Sequence, residues 1–430
     1  MSVAAIVRAD LTWLDGRFQP NVRVTIDGNG RIAAAGVSED PPTRRLTARA
    51  LAPGMVNVHS HAFQRGLRGS GEHFPRGPGS FWTWRDGMYR LASSLDSAHL
   101  GRVCRQAFRE MLASGITTVG EFHYLHHDGP DEDYLLDEQV LEAAADVGIR
   151  LVLLQTAYQT GGIGRGLDQG QQRFATRSLD RFWKQIDRLA GMTTPRQSLG
   201  VAAHSVRAVQ VNDIRAIHDE AKRRQLPFHM HIEETRREIE ECITAYGKTP
   251  LGVINDQLAI DSSLTAVHCT HSRPDEIDTF VQSGGRICIC PLTEANLGDG
   301  IPSIDSDSSG HAYLSVGTDS NARICFPEEL RWLEYGQRLR IGKRGALIGG
   351  TGDVPTTLFE IATRGGAAAL ALDAGEIRPG AWADFFTIDL EHPSMAPITQ
   401  DQLLTSFLMG TGTEAIDQVC IGGEWRDARL

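Results

Sequence analysis

The chain has 430 residues, of which 41% are hydrophobic and 23% are charged, and this composition excludes a mostly disordered or fibrous protein. Lys and Arg number 43 and Asp and Glu 54, giving a formal net charge of −11. Binding to phosphate needs a basic surface, so we expect neither nucleic acid nor an anionic membrane as a partner. The N-terminus lacks a signal-peptide pattern, no apolar run is long enough to span a bilayer, and the seven cysteines form no Cys-x-x-Cys pair, so we expect a reduced, cytoplasmic protein.

The two ends of the chain predict short strands joined by tight turns. In the first 50 residues, Asp-Gly and Asn-Gly pairs separate alternating apolar positions, which is typical of hairpins. Similar patterns return in residues 375–390 and 415–430. Neither end has enough strands to bury a face alone. We therefore predict one small β-sandwich-like domain, built from residues 1–50 together with residues 375–430.

Between these ends, residues 51–374 alternate short apolar β-rich runs with amphipathic helical stretches. Strand–helix alternation with almost continuously apolar strands indicates a parallel sheet covered by helices. Because there are eight such units, we predict a closed (β/α)8 barrel. Polar side chains follow the apolar part of each strand, and in a barrel these ends meet on one face, where active sites lie. The eight candidate strands are 55–61, 116–124, 150–158, 199–206, 227–234, 264–271, 286–294 and 313–320.

Four residues at these strand ends predict a metal site. His59 and His61 are two residues apart on a strand, so both imidazoles point to the same side. His231 lies at the end of the fifth strand, and Asp319 follows the eighth. Three histidines and one carboxylate suit Zn²⁺ or another divalent transition metal. Alternatives remain open here: His229 faces the same way as His231, His59 and His61 are also consistent with a packed pair, and Asp319 with a helix cap.

Hydrolysis at such a site needs a group that moves protons, because bound Zn²⁺ lowers the pKa of water to about 7. Glu234, three residues after His231, is the candidate general acid and base, with Glu233 as its rival. Either glutamate could instead be an N-terminal helix charge. His268, at the end of the sixth strand, could stabilise a developing oxyanion, and His271 is the less favoured alternative.

These residues resemble the one-metal arrangement of the amidohydrolase superfamily. The absence of a lysine in the fourth strand, LGVAAHSV, agrees with one metal, since the two-metal members commonly bridge their ions with a carboxylated lysine there. Further segments are similar to the formimidoylglutamate deiminases within that superfamily, namely NVHSHAFQRGLRG, SFWTWRDGMY, GEFHYLHHD, AYQTGGIGRG, AAHSVRAV, HMHIEE and PLTEANLGDG. The resemblance implies hydrolysis of N-formimino-L-glutamate to N-formyl-L-glutamate and ammonia, a step of histidine degradation, with one zinc ion per chain and a homodimeric assembly.

The resemblance also implies a role for each site residue. Zinc would be bound by His59, His61, His231 and Asp319, and protons would be moved by Glu234, His268 and Asp319. The substrate would be bound by Gln64, Arg85, Tyr124, His204 and Arg207. This substrate is a small anion with two carboxylates, and guanidinium groups match carboxylate geometry. Without the resemblance, each arginine is equally consistent with a surface charge and Tyr124 with a packed barrel residue.

Two other functions remain open at this point. A deaminase of the same superfamily acting on a nucleobase or aminated ring would share the metal site but would need stacking aromatic residues in place of the arginines. A non-catalytic binding protein on an inactive barrel would fail to retain a metal. We interpret residues 161–166 (GGIGRG) as a mobile loop over the barrel mouth, because the Lys-Ser/Thr of a phosphate-binding loop is missing. The run at 126–128 (HHD) is interpreted as a polar loop and not as a second metal site.

Overall fold

The computed structural model describes residues 3–70, 72, 74, 79–129, 134–304, 311–350 and 352–429. Within these residues the strands form two sheets of eight strands each. In chain order the strands are β1 (Val3–Leu14), β2 (Arg17–Gln19), β3 (Val22–Asp27), β4 (Ile32–Val37), β5 (Arg44–Pro53), β6 (Met55–Ser60), β7 (Ile116–His123), β8 (Arg150–Ala157), β9 (Gln197–Ala203), β10 (Phe228–Ile232), β11 (Leu264–His268), β12 (Arg286–Ile289), β13 (Leu314–Val316), β14 (Phe385–Asp389), β15 (Ile416–Ile421) and β16 (Glu424–Asp427).

Most of the helices follow the barrel strands. They are α1 (Phe81–Ser94), α2 (Ser97–Ala113), α3 (Leu135–Val147), α4 (Leu179–Ala190), α5 (Val211–Arg223), α6 (Arg236–Tyr246), α7 (Pro250–Gln257), α8 (Pro274–Gln282), α9 (Pro291–Leu297), α10 (Phe326–Ile341), α11 (Val354–Glu360), α12 (Gly366–Ala369) and α13 (Leu403–Thr405). Short 3₁₀ turns cover Ala62–Leu67, Gln169–Phe174, Pro393–Met395, Gln400–Gln402 and Thr413–Ala415, and π-helical turns cover Ile361–Gly365 and Ser406–Gly410. None of the described helices has both the length and the hydropathy needed to cross a lipid bilayer.

The strands β6 to β13 form the predicted parallel barrel. They pair in chain order, and a parallel bridge between Ser60 and Asp319 joins the last strand to the first. Every residue of β6, β7, β8, β10 and β11 is buried. Burial on both faces explains the continuous apolar runs, because helices cover the outside of the barrel while side chains fill its interior. The barrel prediction is confirmed.

The second sheet combines both ends of the chain, as predicted. The order is β16-β15-β14-β5-β1-β3-β4, with β2 paired to β1. The C-terminal strand β14 pairs antiparallel with β5, where Phe386 lies opposite Ala52. The sheet is mixed, since β1 and β5 run parallel while their other neighbours are antiparallel. It has its own apolar cluster, which includes Val24 and Phe385. The domain limits at residues 50 and 375 stay a prediction.

A buried ion pair ties the barrel to this second sheet. Arg150, at the start of β8, donates from Nε and Nη2 to the two carboxylate oxygens of Asp384, over 2.6 and 3.0 Å. Both side chains are almost fully buried, and the guanidinium carbon lies 3.9 Å from the ring centroid of Trp382. Asp384 also accepts a hydrogen bond from the backbone N–H of Gly422 at 2.7 Å.

Removing this carboxylate will destabilise the protein strongly. Asp384→Ala leaves the Arg150 guanidinium buried without its counter-charge, so we expect a loss of about 3–5 kcal/mol in the free energy of unfolding. The matched control is Glu424→Gln, which removes an exposed partner of Arg196 and is expected to cost under about 1 kcal/mol. Urea denaturation followed by circular dichroism measures both. Equal losses in the two variants would show that the buried pair is not an important connection.

Candidate active site

The candidate site is assembled where the barrel closes. The backbone N–H of His61 donates to the carbonyl of Asp319 at 2.8 Å, and the N–H of Asp319 donates to the carbonyl of His59 at 2.9 Å. Gly317 permits this close approach, since a Cβ at that position would lie 2.7 Å from the Cβ of His59. The same backbone bonds that join β13 to β6 therefore bring three of the predicted metal ligands together.

Their side chains and that of His231 converge on one point. Asp319 Oδ1 lies 3.3 Å from His61 Nε2 and 3.5 Å from His59 Nε2. His231 Nε2 lies 3.1 Å from His59 Nε2. The ligand atoms of the three histidines all lie within 4.8 Å of one another, as do those of His59, His268 and Asp319. His59 belongs to both groups, so the four predicted ligands gather around its ring.

The donor set fits a divalent transition metal. Nδ1 of His61 contacts the carbonyl of Phe122 at 2.8 Å, and Nδ1 of His231 contacts that of His204 at 2.9 Å. Carbonyl partners of this kind fix the tautomer and leave Nε2 free as a ligand. His59 Nδ1 is buried with no hydrogen-bond partner in the described part of the chain. Burial lowers the pKa of all three rings, that of His61 to about 3, so the imidazoles are neutral, as metal binding requires.

The carboxylate complements these neutral rings. Burial would raise the pKa of Asp319, but the hydrogen bond to His59 and the electrostatic interactions with the surrounding imidazoles outweigh burial and lower it. Asp319 therefore stays ionised and places one negative charge beside the neutral imidazoles. Three neutral nitrogens with one carboxylate oxygen are ligands typical of zinc in a hydrolytic site.

Glu234 and His268 lie beside the metal ligands. His268 Nε2 is 3.7 Å from Glu234 Oε1 and 3.8 Å from Asp319 Oδ2. Burial raises the pKa of Glu234, with His268 and Arg207 opposing the shift. Burial alone would lower the pKa of His268, but the neighbouring carboxylates outweigh it and raise that pKa. A carboxyl group with a raised pKa next to a cationic imidazole is suited to moving protons near neutral pH.

Three residues of this cluster have left-handed backbone conformations. The φ angles are +55° at Glu233, +78° at His268 and +46° at Asp319. Such conformations are uncommon for residues other than glycine and cost of order 1–3 kcal/mol each, so they persist only where surrounding structure imposes them. Their concentration at the ends of β10, β11 and β13 agrees with a site in which side-chain direction matters more than local stability.

The five predicted substrate residues line one cavity with Glu234 and three of the four predicted metal ligands, while His59 and His268 lie outside its wall. The predicted residues in its wall are Gln64, Arg85, Tyr124, His204, Arg207, His61, His231, Glu234 and Asp319. Gln64 Nε2 donates to Tyr124 Oη at 2.8 Å. Arg207 Nη2 lies 3.6 Å from Glu234 Oε2, and Nε of Arg85 and of Arg207 are buried with no hydrogen-bond partner among the described residues. The cavity thus combines two incompletely satisfied guanidinium groups with the proton-moving carboxyl group.

The rival residues have other partners. Glu233 Oε1 accepts a hydrogen bond from the backbone N–H of Leu251 at 2.8 Å, which caps the chain near the start of α7. The ring of His229 contacts the carbonyl of Ala369 at 2.9 Å. Neither side chain lines the cavity described above. His271 is half-buried, and its ring is paired with the backbone of Asp299.

Several residues of the site were missed by the sequence analysis. Glu294 Oε1 lies 3.2 Å from His268 Nδ1 and also accepts from the backbone N–H of Cys290 at 3.0 Å. The sequence signal that could have indicated Glu294 is its position in the run PLTE, at the end of the seventh candidate strand. The sequence analysis also did not predict an aromatic wall, although three of its residues lie in the segment SFWTWRDGMY and Tyr158 lies at a strand end. The wall consists of Phe81, Trp84, Tyr89, Tyr158 and Phe174.

A second buried cluster contains His123, His126 and Asp137, next to the HHD run. Both ring nitrogens of His126 are engaged, with Asp137 Oδ1 at 2.8 Å and the carbonyl of Thr156 at 2.7 Å. Asp137 Oδ2 accepts hydrogen bonds from the side-chain amides of Gln155 and Gln185 at 2.7 and 3.0 Å. Because both ring nitrogens of His126 and both carboxylate oxygens of Asp137 have protein partners, the cluster anchors the loop after β7.

Comparison with known proteins identifies relatives over nearly the whole chain. Residues 50–426 match the model of the amidohydrolase family. The chain is 37% identical to a formimidoylglutamate deiminase from Pseudomonas aeruginosa, covering 98% of this chain and 94% of that protein. It is 27% identical to a 5-methylthioadenosine/S-adenosylhomocysteine deaminase from Haloarcula marismortui, covering 80% of this chain and 74% of that protein.

Solved structures agree with this comparison. A crystal structure of an amidohydrolase from Brucella melitensis is 32% identical with a TM-score of 0.85, covering 99% of this chain and 95% of that one. An adenosine deaminase from Xanthomonas campestris with bound zinc shares the fold, with 21% identity, a TM-score of 0.79, and coverage of 98% and 92% of the two chains.

The two histidines of β10 provide a direct test of the metal site. His231→Gln removes a ligand whose Nε2 faces His59, so we expect the purified variant to retain less than a tenth of the divalent metal bound by the unaltered protein. His229→Gln alters the buried histidine that contacts Ala369, so metal content should remain close to one ion per chain. Inductively coupled plasma mass spectrometry of the purified proteins measures this. Full metal occupancy in the His231 variant would rule out the proposed ligand set.

Proposed function

We propose that this chain, which belongs to the amidohydrolase family and is a metal-dependent hydrolase acting on C–N bonds, uses one zinc ion to deiminate N-formimino-L-glutamate. The products would be N-formyl-L-glutamate and ammonia. The observation that carries the proposal is the presence in one cavity of two incompletely satisfied guanidinium groups, the buried Arg207 and the half-buried Arg85, together with Glu234 and three of the predicted metal ligands. The 37% identity to a curated formimidoylglutamate deiminase over 98% of the chain supports it.

The proposed metal ligands are His59, His61, His231 and Asp319. When bound there, zinc supplies Lewis acidity and lowers the pKa of water so that a nucleophile is available at neutral pH. Asp319 contributes the only carboxylate of the set, and its Oδ2, 3.8 Å from Nε2 of the cationic His268, can accept a proton.

The substrate is proposed to lie with its carboxylates at the arginines and its formimino carbon near Glu234. Arg85 and Arg207 offer the planar donor geometry that carboxylates match, and His204, Gln64 and Tyr124 complete the polar wall. Fixing both carboxylates orients the amidine and converts the reaction into an effectively unimolecular one.

Glu234 is proposed to move the proton that the reaction requires. It accepts a proton from the attacking water as a C–O bond forms at the amidine carbon. It then delivers that proton to the terminal imino nitrogen. A second proton passes from the new hydroxyl group through Glu234 to the same nitrogen as the carbonyl group forms, the C–N bond breaks, and ammonia leaves. His268, held by Glu294 at 3.2 Å, donates toward the charge that develops at the reacting centre.

One observation favours a second candidate. The cavity also carries the aromatic wall of Phe81, Trp84, Tyr89, Tyr158 and Phe174, and aromatic rings can stack on a purine. Relatives at 27% identity include a 5-methylthioadenosine/S-adenosylhomocysteine deaminase. This candidate is a deaminase of an aminated ring with the same metal ligands.

Ammonia release from different substrates distinguishes the two candidates. We expect kcat/KM for N-formimino-L-glutamate to exceed that for guanine, adenosine and 5-methylthioadenosine by at least about 10³-fold, since only the first presents two carboxylates to the two arginines. A coupled glutamate dehydrogenase assay on metal-loaded protein measures this. A higher value with any of the purines would overturn the assignment in favour of the second candidate.

Adjacent glutamates test the proton transfer. Glu234→Gln removes the group that moves the proton, and we expect kcat to fall by about 10²–10⁴-fold with metal content unchanged. Glu233→Gln retains an oxygen that can accept from Leu251 N–H, so kcat should stay within about threefold. Steady-state kinetics and metal analysis on the same preparations check both expectations. Near-normal turnover in the metal-loaded Glu234 variant would contradict the scheme.

A further inference from the structure

A buried glutamine outside the cavity connects two tyrosines that line it. Gln171 lies in the 3₁₀ turn Gln169–Phe174 and is 1% exposed. Its Nε2 donates to Tyr89 Oη at 2.9 Å and to Tyr158 Oη at 2.9 Å. Tyr89 belongs to α1 and Tyr158 follows β8, so one amide group links three separate segments of the chain.

The orientation of this amide is fixed by the turn that carries it. Gln171 Oε1 accepts a hydrogen bond from the backbone N–H of Asp168 at 3.0 Å, as in a capping box. The oxygen is therefore committed to the backbone, and Nε2, which has two N–H groups, must face the tyrosines. A reversed amide would lose the cap and would place an oxygen between the two phenols.

The hydrogen bonds from Gln171 determine which partners the two tyrosine hydroxyl groups can have. Each phenol oxygen accepts one N–H from Gln171, so neither phenol can give its own proton to that amide. Burial raises the pKa of Tyr158, which keeps its hydroxyl protonated. Among the described residues neither phenol has a further hydrogen-bond partner, so both O–H groups remain available to a ligand in the cavity.

The tyrosines lie at the arginine end of the cavity. The guanidinium carbon of Arg85 is 5.3 Å from the ring centroid of Tyr89, and Tyr158 interacts electrostatically with both Arg85 and Arg207. An O–H directed into this part of the cavity therefore points to the place where a carboxylate would meet the arginines. Gln171 itself does not line the cavity and can act only through the tyrosines.

We propose that Gln171 is a positioning residue that aims the hydroxyl protons of Tyr89 and Tyr158 at a substrate carboxylate bound by Arg85 and Arg207. The inference deepens the proposed function and rests on its assignment of a dicarboxylate substrate. It makes the two tyrosines specificity determinants, because a fixed O–H donor favours an anionic acceptor and would be left unpaired by an apolar group.

The side chain of Gln171 is closely packed by its neighbours. A Cβ at Gly161 would lie 2.6 Å from Gln171 Oε1, and a Cβ at Gly170 would lie 3.3 Å from the Cβ of Tyr89. The glycine-rich segment 161–166 thus packs directly against the capping amide. Methionine has nearly the length of glutamine without its donors, so Gln171→Met removes the hydrogen bonds with little change in volume.

Binding of glutarate and turnover of N-formimino-L-glutamate together test the proposal. With Gln171→Met we expect the glutarate Kd, measured by isothermal titration calorimetry on metal-loaded protein, to rise at least about tenfold, as for a lost hydrogen bond to a charged group. The KM for N-formimino-L-glutamate should rise similarly while kcat stays within about threefold. Tyr158→Phe should have a comparable effect, and adding it to Gln171→Met should give less than the product of the two changes.

The matched control is the neighbouring residue in the same turn. Gln172 donates to the carbonyls of Leu167 and Asp168, outside the cavity, so Gln172→Met should leave Kd and KM within about twofold of the unaltered values. An unchanged glutarate Kd in Gln171→Met, with or without a lower Tm, would overturn the positioning role and reduce Gln171 to a structural cap. Since glutarate binding needs no turnover, this result is separate from failure of the proposed function, which would show as no ammonia release by the unaltered enzyme.

Discussion

The closure of the barrel between β13 and β6 is the constraint on which the site depends. Beneath the backbone bonds that join the two strands, Asn57 Nδ2 donates to Thr318 Oγ1 at 2.7 Å, and Thr318 N–H donates back to Asn57 Oδ1 at 3.0 Å. Asn321 Nδ2 then donates to Ser60 Oγ at 3.1 Å. These buried groups leave the chain little choice of register, so the left-handed conformation of Asp319 is imposed and its carboxylate is aimed at the histidines.

A second constraint is electrostatic. Glu234, Glu294 and Asp319 are buried carboxyl groups gathered around His268, and Arg207 lies 3.6 Å from Glu234. Buried charges are tolerated only when they are paired, and here each acid has a cationic or hydrogen-bonding neighbour. Because the charges are fixed before any substrate arrives, little reorganisation is needed when charge develops during a reaction, which is the main way in which proteins stabilise transition states.

The barrel and the gathering of the predicted metal ligands were predictable because they depend on short-range periodicity. A period of two places His59 and His61 on one side, and parallel strands bring their carboxyl ends to one edge whatever the loops do. The choice between Glu233 and Glu234 was not predictable in this way. Strict alternation would place Glu233, and not Glu234, on the side of His231. The left-handed φ of +55° at Glu233 interrupts the alternation, so that Glu233 lies at Leu251 N–H and Glu234 in the cavity.

Glu294 and Gln171 could not be predicted from the sequence for a related reason. Glu294 reaches His268 across 26 positions of sequence, and Gln171 reaches Tyr89 across 82. No periodic signal connects residues at such separations, because their meeting depends on the course of loops around a closed barrel. The sequence does not distinguish a polar loop residue that caps a turn from one that orients a neighbour's hydroxyl group. Gln171 caps a turn and is also proposed to orient hydroxyl groups.

The end of the cavity at the predicted metal ligands and the end at the two arginines are therefore built on different kinds of structural elements. The metal end is built on strand termini and on the seam of the barrel, where a small shift would break backbone pairing, so relatives with different substrates can share it. The arginine end is built from α1, the segment after β8 and the segment after β9, whose side chains can change without disturbing the sheet. Since function is carried by sites placed on a fold and not by the fold itself, we expect substrate choice in this chain to be encoded at that second end. The fixed donors that surround Arg85 and Arg207 are the part of the molecule where a dicarboxylate and a purine would be told apart.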